Sequence, residues 1–177
     1  MASVALIPVS EYLRTTYRPD CDYIEGELRE RNVGELPHSL MQAILCTIVN
    51  SNRRAWGVIA APELRVHVAE RRYRIPDVTV MRRSDPLDPV VQVAPLVCVE
   101  VVSPSDTLVS LQERVEDYRR MGVEHIWIVD PIGRHAYVAS ERGFEQPENG
   151  AFTVPGTAIR IVLAEVFAEL DEMMTQG

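Results

Sequence analysis

Residues 96–106, Leu96-Val97-Cys98-Val99-Glu100-Val101-Val102-Ser103-Pro104-Ser105-Asp106, begin as an almost unbroken β-branched run and end in a polar turn. A run of that kind is expected of a strand buried on both faces. Ser103 to Asp106 ends it and caps the next helix, expected from Thr107 to Met121. Leu108, Leu111, Val115 and Tyr118 mark the inner face of that helix, and Gly122 stops it. His125 to Asp130 is a second buried strand. Asp130 caps its turn, Pro131-Ile132-Gly133. Strand, helix and strand make a βαβ unit with a right-handed crossover.

Outward from this unit the chain keeps an α/β character. Pro8 to Tyr17 reads as a short helix with Ser10 as N-cap. Cys21 to Arg31 reads as a hairpin or bent strand pair around Glu25-Gly26-Glu27. Pro37 opens a helix to about Arg54, with a wide apolar face from Leu40, Met41, Ile44, Leu45, Ile48 and Val49. Leu64, Val66 and Val68 alternate with polar residues, Asp77 to Met81 is a further strand, and Tyr73-Arg74-Ile75 is expected to pair beside it. Short strands at His135–Ala139 and near Ile159–Val162 and a helix from Leu163 follow.

The chain has 177 residues, 46% of them hydrophobic, which suits a single domain over residues 1–177 with a sizeable core. Its net charge is −8, which repels polyphosphate at long range and disfavours a general nucleic-acid coat protein. All 18 basic side chains apart from histidine are arginine. Without lysine, Schiff-base or lysine acid–base chemistry is excluded. Cys21, Cys46 and Cys98 have no CxxC spacing and read as reduced thiols rather than a disulfide framework or zinc site. No signal peptide or membrane span is apparent, so a cytoplasmic location and no membrane partner are expected.

Glu100 is the oddest residue. A charged carboxylate inside an apolar strand is costly unless it is paired or bound to metal. Asp77, in Ile75-Pro76-Asp77, starts another strand. If the two strands are neighbours, both carboxylates enter one cleft, where they suit Mg²⁺ or Mn²⁺. The competing reading of Glu100 is a buried, structural ion pair with Arg114.

Several segments in order resemble the Uma-two family of the PD-(D/E)xK, restriction-endonuclease-like superfamily. They are Tyr23-Ile24-Glu25-Gly26-Glu27-Leu28, His38 opening a helix, Tyr73-Arg74-Ile75-Pro76-Asp77-Val78, Val99-Glu100-Val101-Val102-Ser103-Pro104-Ser105, Tyr118 with Gly122-Val123-Glu124, and Ile126-Trp127-Ile128-Val129-Asp130-Pro131. The resemblance implies a four- or five-stranded mixed β-sheet flanked by α-helices. It implies that Asp77 and Glu100 bind metal and that Glu27 is an accessory acid at the site. The lysine position two residues after the glutamate is Val102 here. Similar proteins carry the lysine on the following helix, where Arg114 stands. Arginine can clamp a phosphate but cannot act as a neutral base. His38 and Arg74, the latter in a cluster with Arg71 and Arg72, are the candidates for substrate contact.

The expectation is a Mg²⁺- or Mn²⁺-dependent endonuclease acting on DNA, with Glu27, Asp77, Glu100 and Arg114 as the catalytic set. The alternative is a weakened or inactive nuclease-fold protein with a structural or regulatory role. A homodimer is expected in either case, through the apolar face of the last helix at Leu163, Val166, Phe167 and Leu170.

Overall fold

The computed structural model describes residues 6–31 and 34–175. Residues 1–5, part of the opening apolar stretch, lie outside them. Helix α1 (Val9–Arg14) leads into a hairpin of β1 (Cys21–Ile24) and β2 (Glu27–Glu30). Glu25 and Gly26 both take positive φ, 52° and 101°, as a tight two-residue hairpin turn requires. Next come α2 (Leu36–Ser51), α3 (Arg53–Trp56), β3 (Val58–Pro62), β4 (Val66–Ala69), β5 (Arg72–Arg74), β6 (Val78–Arg82) and β7 (Val97–Val101). Helix α4 (Leu108–Met121), β8 (His125–Asp130), β9 (His135–Ser140) and β10 (Gly143–Glu145) follow. Strands β11 (Ala151–Thr153) and β12 (Arg160–Val162) precede α5 (Leu163–Thr175).

The main sheet has six strands in the order β10-β9-β8-β7-β6-β3, more than the four or five expected. It is mixed: β7 and β8 run parallel across the α4 crossover, and the other pairs are antiparallel. Strands β2-β1-β5-β4 form a second sheet, antiparallel throughout. Tyr73 and Arg74 therefore pair inside this second sheet rather than beside Asp77–Met81. Strands β10 and β11 were not expected from the sequence.

Residues two apart on a strand share a face, and this divides the core. Val97, Val99 and Val101 of β7, with Trp127 and Val129 of β8, face a cluster that holds Met41, Ile44 and Leu45 of α2 and Val166 and Leu170 of α5. Cys98, Ile126 and Ile128 face the other way, onto Val115 and Tyr118 of α4 and Val66 and Val68 of β4. Glu100 shares the Cys98 face, so it points at α4. Of the apolar face expected to meet a second copy, Leu163, Val166 and Leu170 are buried within the chain and Phe167 is partly buried against the same cluster.

The caps differ in detail from expectation. Pro8, not Ser10, precedes α1. Thr107 caps α4 through reciprocal bonds with Ser110, while Ser103–Asp106 closes a separate turn. Leu108 is exposed on the outer side of α4. Gly122, with φ of 100°, ends that helix in the left-handed region. Asp130 Oδ1 accepts the Ile132 and Gly133 amides, the turn cap the sequence suggests.

Candidate functional site

Asp77 and Glu100 come together because β6 and β7 are antiparallel neighbours. Val78 lies opposite Val99, and extending that register by a residue sets Asp77 opposite Glu100. Both are buried, at 3% and 0% exposure. The Val101 amide donates to Asp77 Oδ2 at 2.7 Å, which locks the carboxylate onto the end of β7. The Gln42 amide of α2 donates to the Asp77 carbonyl at 3.2 Å. His38, in the first turn of α2, brings Nε2 to 3.4 Å from Asp77 Oδ1.

Two arginines meet these carboxylates. Arg31, just past β2, donates from Nη2 to Asp77 Oδ1 at 2.7 Å, and the same nitrogen lies 3.7 Å from Glu100 Oε2. Its Nη1 is 3.8 Å from Asp22 Oδ1. Arg114 of α4 sits with Nε 2.9 Å from Glu100 Oε2 and donates from Nη2 to Asp106 Oδ1 at 2.6 Å. The Arg114 contact to Glu100 is close but misdirected, because neither Nε nor Oε2 completes a hydrogen bond. The other Glu100 oxygen accepts from the Tyr118 hydroxyl at 2.5 Å.

The electrostatics follow this wiring. Burial pushes the Asp77 carboxyl up, but Arg31, His38 and the Val101 amide outweigh it and hold the group below its ordinary range. Burial also pushes Glu100 up, and there Arg114 and Arg31 offset it only in part, with Asp77 adding repulsion. For His38, burial disfavours the charged form, yet the bond and charge of Asp77 raise its pKa overall. A cavity of about 200 Å³ opens over these groups, walled in part by Arg31, His38, Asp77, Ser105, Asp106 and Arg114.

Four of the expected site residues gather here: Asp77, Glu100, Arg114 and His38. Glu27 does not. It is exposed at the start of β2, beside the hairpin turn and opposite Ile24, whereas Asp22, further from the turn on the same face of the hairpin, is buried. Arg74 borders the cavity, but its guanidinium is held between Asp22 and Asp117, at 2.9 and 2.7 Å, which corrects the expectation of a free substrate contact. Arg31, Gln42, Asp106 and Tyr118 join the site without having been singled out for it. Asp106 carried a local signal beside the Ser-Pro-Ser turn, and Tyr118 stood among the family-like segments; Arg31 and Gln42 carried none.

Among the described residues, no group of three or more His, Cys, Asp or Glu side chains is arranged to hold a metal ion. The chemistry of the donor pair still suits a hard divalent cation: Asp77 at the wall of a polar cavity, and behind it Glu100 with an orphaned buried oxygen. The position between them is held by Arg31.

A family model, Uma2, described as "Putative restriction endonuclease", matches residues 9–157. The crystal structure of a "putative nuclease belonging to DUF820" from Anabaena variabilis superposes with a TM-score of 0.78 over 93% of this chain and 99% of that one, at 20% identity, and so shows a shared fold. A cryoEM structure of a DrdV–DNA complex overlaps 77% of this chain and 11% of that chain, with a TM-score of 0.43 and 14% identity. No curated protein matches. Among the described residues, no helix is long and apolar enough to cross a membrane.

Proposed function

The chain belongs to the Uma2 family, and from that premise we propose that it hydrolyses DNA phosphodiester bonds with Mg²⁺ or Mn²⁺ held by Asp77 and Glu100. The observation that carries the reading is the orphaned Glu100 Oε2, a buried acceptor without a hydrogen bond, behind Asp77, which lines a polar cavity. When bound, a divalent cation there supplies Lewis acidity to the phosphate and to the attacking water. The protein's own groups do the rest. The Val101 amide and Gln42 fix Asp77, and Tyr118 and Arg114 fix Glu100. His38 reaches the cavity as a donor toward a phosphate oxygen. Arg114 steadies negative charge and cannot serve as the base.

The test is cleavage of plasmid DNA with Mg²⁺, Mn²⁺ or EDTA. The expected outcome is metal-dependent nicking that disappears in Asp77→Asn and in Glu100→Gln. Cleavage that survives both substitutions would remove these residues from the mechanism.

The contacts of Arg31 and Arg114 favour a second reading, in which both carboxylates are neutralised internally and the protein has a structural or regulatory role. Its expected outcome is neither cleavage nor divalent-ion binding. Mg²⁺-dependent turnover by the wild type would sink it.

A further inference from the structure

We propose that Arg31 is the resident counter-cation of the Asp77–Glu100 pair, and that a divalent ion enters by displacing its guanidinium into the adjoining cavity. This rests on the metal-site reading above and deepens it.

Arg31 Nη2 approaches one oxygen of each carboxylate, Asp77 Oδ1 at 2.7 Å and Glu100 Oε2 at 3.7 Å. A divalent ion needs those same oxygens, and two cations cannot share them without strong repulsion. Arg31 is also the group positioned to leave. Its main chain is pinned by its N–H, which donates to the Asp20 carbonyl at 2.8 Å, so the flexible side chain is the movable part. Its Nη1 makes no hydrogen bond, and its nearest carboxylate, Asp22, is already engaged by Arg74 and the Ile75 amide. The cavity of about 200 Å³ beside it has room to receive a guanidinium. Arg114 Nε lies nearer to Glu100 Oε2, at 2.9 Å, but Arg114 does not touch Asp77 and its Nη2 is tied to Asp106 at 2.6 Å, so it is poorly suited to leave.

Two consequences follow. Metal alone binds weakly, since it must break the Arg31 contacts. A phosphate in the cavity gives the displaced guanidinium a new planar partner, so metal and phosphate bind cooperatively. Arg31 then carries positive charge to the substrate only after the metal is seated.

Calorimetric titration of Mn²⁺ into metal-free wild type, Arg31→Gln, Asp77→Asn and Arg31→Gln/Asp77→Asn tests the inference. Arg31→Gln is expected to bind at least about tenfold more tightly than wild type, with binding abolished in the double variant. Equal or weaker binding by Arg31→Gln, while Asp77→Asn alone still abolishes wild-type binding, overturns the role of Arg31 and leaves the metal site standing. No binding by any of the proteins overturns both. Should Arg31→Gln fail to fold, NMR of the wild-type arginine Nε–H groups decides. Saturating Mg²⁺ must shift the Arg31 signal, and an unmoved signal with metal bound overturns the displacement.

Discussion

Two buried charge clusters lie side by side in this protein, built from the same residue types, and they differ in how completely their carboxylates are used. In one, Arg74 donates to Asp22 Oδ2 and Asp117 Oδ2, Arg72 adds a bond to Asp117, Arg120 reaches Asp117 Oδ1, and the Ile75 amide takes Asp22 Oδ1. Every carboxylate oxygen there has a donor, and the unused groups are donors, Arg72 Nε and Arg74 Nη2. In the other, Asp77 is saturated, but Glu100 keeps Oε2 without a hydrogen bond. Native proteins rarely leave a buried acceptor unused, and such exceptions gather where a ligand completes the set. Burial and charge therefore do not separate a structural cluster from a reactive one here. The incomplete acceptor, buried behind the cavity-lining Asp77, Arg31 and Arg114, does.

The largest effect that separates the clusters is on stability. Arg74→Met leaves Asp22 and Asp117 buried without their shared counter-charge, and breaking a buried pair in this way costs about 3–5 kcal/mol. Urea unfolding is expected to show that loss, with no rescue by Mg²⁺. A cost below about 1 kcal/mol would mean that the saturated cluster is not what ties the second sheet to α4.

How far this contrast is legible in the sequence depends on which contacts are local. The β7–α4–β8 unit is readable because long apolar runs and an αL glycine specify it directly. Glu100 stands out for the same reason, as a carboxylate that breaks an apolar run. Arg31 does not, because Glu27-Leu28-Arg29-Glu30-Arg31 looks like a solvated edge from end to end. Its burial arises only when the small sheet places the end of β2 near the ends of β6 and β7. Glu27 misleads for the complementary reason: motif position suggested a site acid, whereas Glu27 sits at the turn end of the hairpin and the buried carboxylate on that face is Asp22. Asp117 hides among the charges of α4, and its role needs Arg74 from a strand more than forty positions away. The three-residue strands β10 and β11 are too short to show a period.

Glu100→Gln is expected to behave in the opposite way to Arg74→Met. Burial raises the Glu100 pKa above its unfolded value, so the ionised form is disfavoured by folding and an amide removes that penalty. Arg114 keeps Asp106, Arg31 keeps Asp77, and Tyr118 can still donate to the amide oxygen. Unfolding stability should stay within about 1 kcal/mol of wild type, while Mn²⁺ binding is lost. A loss as large as that from Arg74→Met would show that Glu100 is as structural as Asp117 and would erase the contrast.

The smallest expected effect is a pH dependence confined to the site cluster, the only one of the two with a histidine. His38 has its pKa raised: burial lowers it, but the bond and charge of Asp77 more than compensate, with Arg31 opposing. The folded protein therefore holds this proton more tightly than the unfolded chain does. The stabilisation is fully present below the ordinary histidine pKa of about 6.5 and fades as pH rises through the higher folded value. In EDTA, urea midpoints of the wild type should fall over that window more than those of His38→Gln, while Arg72→Gln, which changes only the saturated cluster, should keep the wild-type slope. Equal slopes in wild type and His38→Gln would mean that His38 is not coupled to Asp77. It would then be available to a phosphate without first giving up a carboxylate partner.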